Sequence, residues 1–549
     1  MISRLISALI LLSLTPAFAQ RPTKFSVIEA TIPQMQEALR KKKVTSRQLV
    51  QQYLERIATY EDLLNASLAV NPRALAEADQ LDLERKQGRL RGPLHGIPIA
   101  LKDNIHTTDM PTTGGALAFV GFTPPYEATL TKNLRASGAI IIAKTGMTEL
   151  ANWVAGGPTP MPTNYNSAGS YGFNPYDPRR DPRPTADGRP VLMTGGSSSG
   201  IGTAANFWAA NIGTETSGSI LSPANQNRLA AIKPTVGRIS RYGIIPITAD
   251  QDTAGPMAKS VADTAVLLGV LESLDPNDPA TKRCAPPAKN DYTKFLRRDG
   301  LKGARIGIPR ASFYDRQDPA SAQVMADAIA VLIKEGAVII DPVDLPSVTA
   351  RTFQRWGTCS GASGAKDKDA ECSVVFNYGM KRDFNAWLAT LGPTAPVKTL
   401  TELRKWNLAH VPAGSLKYGQ SNLDISDEMD LVSDRARYEA DRAKDLQLSA
   451  TEGIDFAMTA NKLDALLFPG GAGAGIAAKP GYPTMMVPFG EVPNVLNPAP
   501  PDGFNPKPAP LAVSFTGTAC SEPRLIELGY SFEQATKRRF PPPAVHPKP

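Results

Sequence analysis

Apolar residues at Leu49, Val50, Tyr53, Leu54 and Ile57 recur at helical spacing behind Thr45-Ser46-Arg47-Gln48, a capping-box pattern. With the residues before them they predict two amphipathic helices over 31–58, and a third is predicted over 73–86. In GIPIALKDNI, Gly96 and Pro98 precede a short apolar strand that ends at Lys102. A helical segment near 126–136 stops at Gly138 and feeds AIIIA, 139–143, a buried-strand run. Periodicity then fails over 155–193, a long proline-rich stretch of the kind that usually serves function. Residues 315–465 are mostly helical in pattern, including 427–448. Near the end DALLFPG, PTMMVPFG and PLAVSFTG read as strands, followed by a helix from Ser521 with Leu525, Leu528, Phe532 and Ala535 on one face. Helices alternating with short apolar strands indicate an α/β layer architecture. Strands at both ends predict one sheet built from distant segments, with a helical insertion around 283–460.

The N-terminus MISRLISALILLSLTPAFAQR has Arg4 ahead of an apolar run from Leu5 to Leu14, then Ala17-Phe18-Ala19 before Gln20. That is the layout of a secretory signal peptide cleaved after Ala19, and the run is too short for the roughly 20 residues of a membrane span. The mature chain, 20–549, is therefore expected to be exported, periplasmic or extracellular, with no stable membrane insertion. Export changes the reading of the cysteines. Cys359 and Cys372 flank the polar loop CSGASGAKDKDAEC and would pair in an oxidising compartment, the alternative being two buried free thiols. A net charge of +8 spread among interspersed acids gives no dense basic stripe, so no nucleic-acid partner is expected. Oligomeric state is not legible.

Gly196-Ser197-Ser198-Ser199-Gly200 fits the G-x-S-x-G nucleophile elbow of esterases, a mechanism that needs a downstream histidine. Only His410 and His546 follow, one in a helical insertion and one in a proline-rich tail. Ser363-Gly364-Ala365-Lys366 with Lys144-Thr145-Gly146 mimics the S-x-x-K and K-T-G pair of penicillin-interacting enzymes, in the wrong order. No G-K-[ST] follows the glycine cluster, and four single histidines make no metal set, so neither cofactor nor metal is expected. What remains is a serine served by a lysine. Lys102, at the end of an apolar strand, is placed for the desolvation that makes a neutral amine a base near pH 7. Its competing role is a buried salt bridge to Asp103 or another carboxylate.

GIPIALKDNI, AIIIAKTGMTELAN, GGSSSG, GTETSGSI and AAIKPTVGRISRYGIIPITADQDTAGPMAKSVADTA together resemble the amidase signature family, most of all its bacterial peptide amidases. The similarity spans roughly residues 27–275 and resumes in GYPTMMVPFG and YSFEQAT. It implies a layered α/β/α fold with a large twisted mixed sheet and helices on both faces. It further implies hydrolysis of a carboxamide, either a peptide C-terminal amide or a small aryl or aliphatic amide, through an acyl-enzyme. By position the nucleophile falls on Ser219, the bridging serine on Ser197 and the lysine on Lys102. The oxyanion hole falls on the backbone N–H groups of Thr216, Ser217, Gly218 and Ser219. The Gly196–Ser197 bond is cis in the family.

Two departures matter. Ser217 stands where the family usually has aspartate or glycine. Ser219 follows Ser197 by 22 positions, a connection shorter than the family's by about two residues, which in a helix is roughly 200° of rotation. Either the connection absorbs the deletion or the triad is misaligned. The alternative function is thus a catalytically impaired binding protein on the same fold.

Overall fold

The computed structural model describes residues 25–196, 199–361 and 371–546. The first helices form where polar caps precede apolar stripes: α1 (Ile32–Arg40) behind Thr31 and Gln34, and α2 (Ser46–Leu64) behind Thr45 and Gln48, each with a reciprocal capping box. α3 (Ala74–Lys86) and α4 (Thr129–Ala136) follow. Gly138, at φ 84°, turns the chain out of α4 in a conformation that favours glycine.

The strands are β1 (Ser67–Val70), β2 (Pro98–Lys102), β3 (Ile140–Thr145), β4 (Tyr165–Asn166), β5 (Ser170–Tyr171), β6 (Ala210–Glu215), β7 (Ala230–Lys233), β8 (Thr253–Ala258), β9 (Arg305–Gly307), β10 (Val338–Ile340), β11 (Ala465–Pro469), β12 (Thr484–Val492) and β13 (Ala509–Thr516). β4 and β5 form a separate ribbon. The other 11 make one mixed sheet in the order β1-β3-β2-β6-β8-β7-β12-β13-β11-β9-β10. The single sheet gathered from distant segments is therefore present. β6, β7 and β8 were not legible as strands: ANIGTE, AAIK and TAGPMA are small-residue runs buried throughout, so no alternation marks them.

Helices cover both faces. α5 (Ser199–Ala204) and α6 (Leu221–Gln226) lie on one, while α7 (Val261–Leu271), α8 (Pro319–Lys334) and the C-terminal helix Glu522–Thr536 lie on the other. β12 shows the division residue by residue. Met485 and Val487 join a cluster with Leu268 and Phe532, and Met486 between them joins Leu221 and Ala224 of α6.

Three expectations need correction. The region read as helical contains β9 and β10, which extend the sheet at its edge beside β11. The helix predicted over 427–448 starts only at Arg435, because Asp430 accepts the N–H groups of Val432 and Ser433 in a turn. On the last helix Ala535 faces solvent and Ile526 takes a core position instead.

Cys359 pairs with Cys372, and Cys284 pairs with Cys520 across 236 residues. The second pairing had no local signal, since its partners are far apart in sequence. Cross-linking so long a loop stabilises by about 5 kcal/mol in the chain-entropy account, against about 3 for the short loop. The double substitution Cys284→Ala/Cys520→Ala is expected to lower the melting temperature more than Cys359→Ala/Cys372→Ala, a ranking that thermal unfolding followed by circular dichroism checks. No helix among the described residues is long and apolar enough to cross a membrane. The signal-like segment lies outside those residues.

Candidate active site

β2, β3 and β6 run parallel and end together at Lys102, Thr145 and Glu215, and the crevice beyond such carboxyl ends is where ligands bind in α/β sheets. Lys102 is fully buried. Its Nζ donates to the backbone oxygen of Thr214 at 3.0 Å and to Thr214 Oγ1 at 2.9 Å, and Asn104 Nδ2 donates to the same Oγ1 at 3.0 Å. Burial pushes the Lys102 amine down to about 7, although the carboxylates of Asp252 and Glu215 favour its charged form. Asp103 is not its partner. Neighbouring strand residues point to opposite faces, and Asp103 lies 3.4 Å from Lys144 instead.

The turn after β6 is built from its own ends. Glu215 Oε2 accepts the N–H groups of Ile220 (2.7 Å) and Leu221 (3.0 Å), satisfying donors at the start of α6 and folding Thr216–Ser219 back over the strand end. Gly218 sits at φ 88°, which a side chain would strain. Thr216 Oγ1 donates to Asp252, whose other oxygen accepts from Ile247 and Thr248, and Gln251 Nε2 donates to the Thr216 carbonyl at 3.2 Å. Burial pushes the Asp252 carboxyl up to about 7. With the turn fixed this way, the N–H groups of Thr216, Ser217, Gly218 and Ser219 donate to no acceptor among the described residues. They are therefore free to donate to an acceptor that enters the turn.

Ser219 lines a cleft of about 360 Å³ whose floor is this turn. Gly156 and Met161 of the irregular segment form one wall, and Ser360, Phe376 and Asn422 from the helical region form the other. Leu150, Ala151 and Asn152 stand beside it with φ of 42°, 57° and 71°. Three consecutive left-handed residues with side chains cost about 1–2 kcal/mol each. The surroundings hold them: Leu150 N–H donates to the Gly114 carbonyl, buried Glu149 accepts from Ser167 N–H, and Trp153 Nε1 donates to Ser426. A second cavity of about 430 Å³ shares Ala151, Thr216 and Ile247 with the cleft and reaches Thr214 and Asp252.

The fold thus brings Lys102 and the turn Thr216–Ser219 to one strand end, through Thr214. No hydrogen bond joins Lys102 to Ser219 among the described residues. Gly196 abuts the turn, since a Cβ on it would fall 3.4 Å from Ser219 Oγ. Ser197, and with it the bond expected to be cis, lies outside the described residues, as do Ser363 and Lys366. The shortened connection is α5 of six residues followed by a turn with Asn206 at φ 58°, rather than one continuous helix, so its orientation is reset before β6. His410 stacks on Trp406 and no histidine lines the cleft, so the esterase reading has no base. Among the described residues no group of side chains could hold a metal. Thr214, Asp252 and Asn152 were not foreseen. Asp252 lies in the run ADQDTAGPM, but nothing local singles it out.

The amidase family model matches residues 48–525. The chain belongs to the amidase family. It is an enzyme of the hydrolase class acting on amide bonds. This amidase is 33% identical over 525 residues to a probable amidase of Arabidopsis thaliana, covering 94% of this chain and 92% of that one. One component of the glutamyl-tRNA(Gln) amidotransferase of Chloroflexus aurantiacus is 41% identical, but over only 58% of this chain and 60% of that one. Among solved structures, the native peptide amidase of Stenotrophomonas maltophilia superposes with a TM-score of 0.80 at 34% identity, covering 94% of this chain and 98% of that one.

Proposed function

We propose that this amidase hydrolyses a carboxamide to a carboxylate and ammonia or an amine, with Ser219 as nucleophile, Ser197 as relay and Lys102 as base. The supporting observation is a fully buried lysine, its amine pushed down to about 7 by burial, bonded to Thr214 just before a turn of undonated N–H groups that carries Ser219. Ser219 Oγ attacks the carbonyl carbon while its proton passes through Ser197 to neutral Lys102. The oxyanion faces the N–H groups of the turn. Collapse breaks the C–N bond as the proton returns through Ser197 to the leaving nitrogen, and water then splits the acyl-enzyme by the same relay. A relay through Ser197 suits this placement, since Ser219 lines the cleft and Lys102 does not.

Peptide C-terminal amides are the first substrate class, followed by aryl and aliphatic amides. The full-length likeness to a peptide amidase supports that order, whereas likeness to the amidotransferase component is partial. We also infer export after cleavage near Ala19, which suits a chain with two disulfides.

Fluorophosphonate labelling of the mature protein with peptide mapping tests the assignment. Ser219 is expected to carry the label and to lose it in Lys102→Ala. A folded parent that takes no label would favour the binding-protein alternative. The pH dependence follows from the lysine. Only neutral Lys102 accepts a proton, so kcat/KM is expected to fall about tenfold per unit below a limb near pH 7 and to level off above it.

A further inference from the structure

Asn422 ties the two walls of the Ser219 cleft together and has one polar group left over. It sits in the helix Ser421–Asp427, is 3% exposed, and lines the cleft. Its backbone N–H donates to the Val154 carbonyl at 3.1 Å, and its carbonyl accepts from Ser426 Oγ at 2.6 Å, which in turn accepts from Trp153 Nε1. Its side-chain oxygen accepts from Ser360 Oγ at 3.1 Å. The side-chain nitrogen remains. It donates to no acceptor among the described residues, yet it is not sealed in: the unpaired side-chain atoms that lack accessible surface include none of Asn422. The amide lies at the cleft. A Cβ on Gly156, which lines it, would fall 2.6 Å from Asn422 Oδ1, and Ser360, which supplies the donor, lines it too. Because Ser360 Oγ donates to the oxygen, turning the amide over would lose that bond, so Nδ2 is held as a donor. The small accessible surface of this nearly buried residue opens to the cavity that it lines. The wall beside it is apolar: Phe376 meets Trp153 edge-on at 4.9 Å, and Met161 and Ile247 line the same cleft. Apolar walls with one oriented polar group suit a ligand that joins an apolar side chain to a hydrogen-bond acceptor.

We propose that Asn422 is a specificity-determining residue whose Nδ2 donates to the carbonyl of an acylamino group on the acyl side of the scissile amide, with Ser360 as the positioning residue that orients it. This rests on amide hydrolysis at Ser219 and narrows the substrates to N-acylated amino-acid amides with an apolar side chain. In that mechanism the scissile carbonyl is taken by the N–H groups of the turn, so the acceptor for Asn422 is a second carbonyl. A peptide amide has one and a simple aliphatic amide does not. A primary carboxamide releases only ammonia, which leaves discrimination to the acyl side.

The test compares N-acetyl-phenylalaninamide with 3-phenylpropionamide, which has the same ring and scissile amide but no acylamino group, in the parent, Asn422→Asp and Ser360→Ala. The parent is expected to favour the first compound in kcat/KM by at least about tenfold. Asn422→Asp keeps an oxygen for Ser360 and replaces the donor by an acceptor, so it is expected to lower that ratio by about 10- to 100-fold, through KM for N-acetyl-phenylalaninamide, with 3-phenylpropionamide nearly unchanged. Ser360→Ala frees the amide without removing the donor and is expected to lower the ratio by about three- to tenfold. The ratio of the two compounds is the readout, so partial loss of folded enzyme cancels. Equal losses on both compounds, or an unchanged ratio in Asn422→Asp, overturn the assignment. A parent that hydrolyses both equally well overturns it while leaving amide hydrolysis at Ser219 in place, whereas a parent inert towards both removes the hydrolase reading itself, and this assignment with it.

Discussion

Lys102→Met will lower kcat by about a thousand- to ten-thousand-fold and at the same time make the protein more stable. The two effects share one cause. Lys102 is fully buried, and burial holds its amine near 7, against an ordinary value of 10.5 in an unfolded chain. Between these values the unfolded chain binds more protons than the folded one, so stability rises with pH across that window. The whole penalty is therefore present below pH 7 and is gone above about 10.5. Methionine fills a similar volume without a charge, and replacing a buried ion by an apolar residue commonly gains 1–4 kcal/mol, of which the lost bonds to Thr214 return part. The melting temperature of Lys102→Met is expected to exceed that of the parent at pH 6, with the difference shrinking by pH 9. A lysine of purely structural use predicts the opposite pair: retained turnover and lost stability.

Ser219→Ala is expected to cost more still, about 10⁴- to 10⁶-fold in kcat, as removal of a serine nucleophile does in other acyl-transfer enzymes. KM should change little, because the cleft walls from Gly156 to Asn422 and the undonated N–H groups stay in place. Residual turnover above the uncatalysed rate would come from those N–H groups alone. Initial rates with the parent and variant, together with loss of fluorophosphonate labelling, decide the matter. A variant that keeps more than a hundredth of the parent's kcat would place the nucleophile elsewhere.

The amino-acid sequence alone determined the periodic elements. The capping box at Thr45, the apolar runs of β2 and β3, and the three terminal strands are each marked in the local sequence, which short-range sterics and burial enforce. It also marked Lys102, because a cation closing an apolar strand has few uses. The tertiary structure alone decided what that lysine faces. Asp103, its sequence neighbour, goes to Lys144, while Thr214 and Asp252 come from strands and loops more than a hundred residues away. β6, β7 and β8 hold the middle of the sheet with no alternating pattern, since both their faces are buried and small residues suffice. The left-handed turn at Leu150–Asn152 has no sequence signature either: no glycine announces it, and only the packing of Gly114, Glu149 and Trp153 around it makes the strained backbone the lowest available state. Local free energy is written in neighbouring residues, whereas a proton affinity and a strained turn depend on whatever the rest of the chain brings against them.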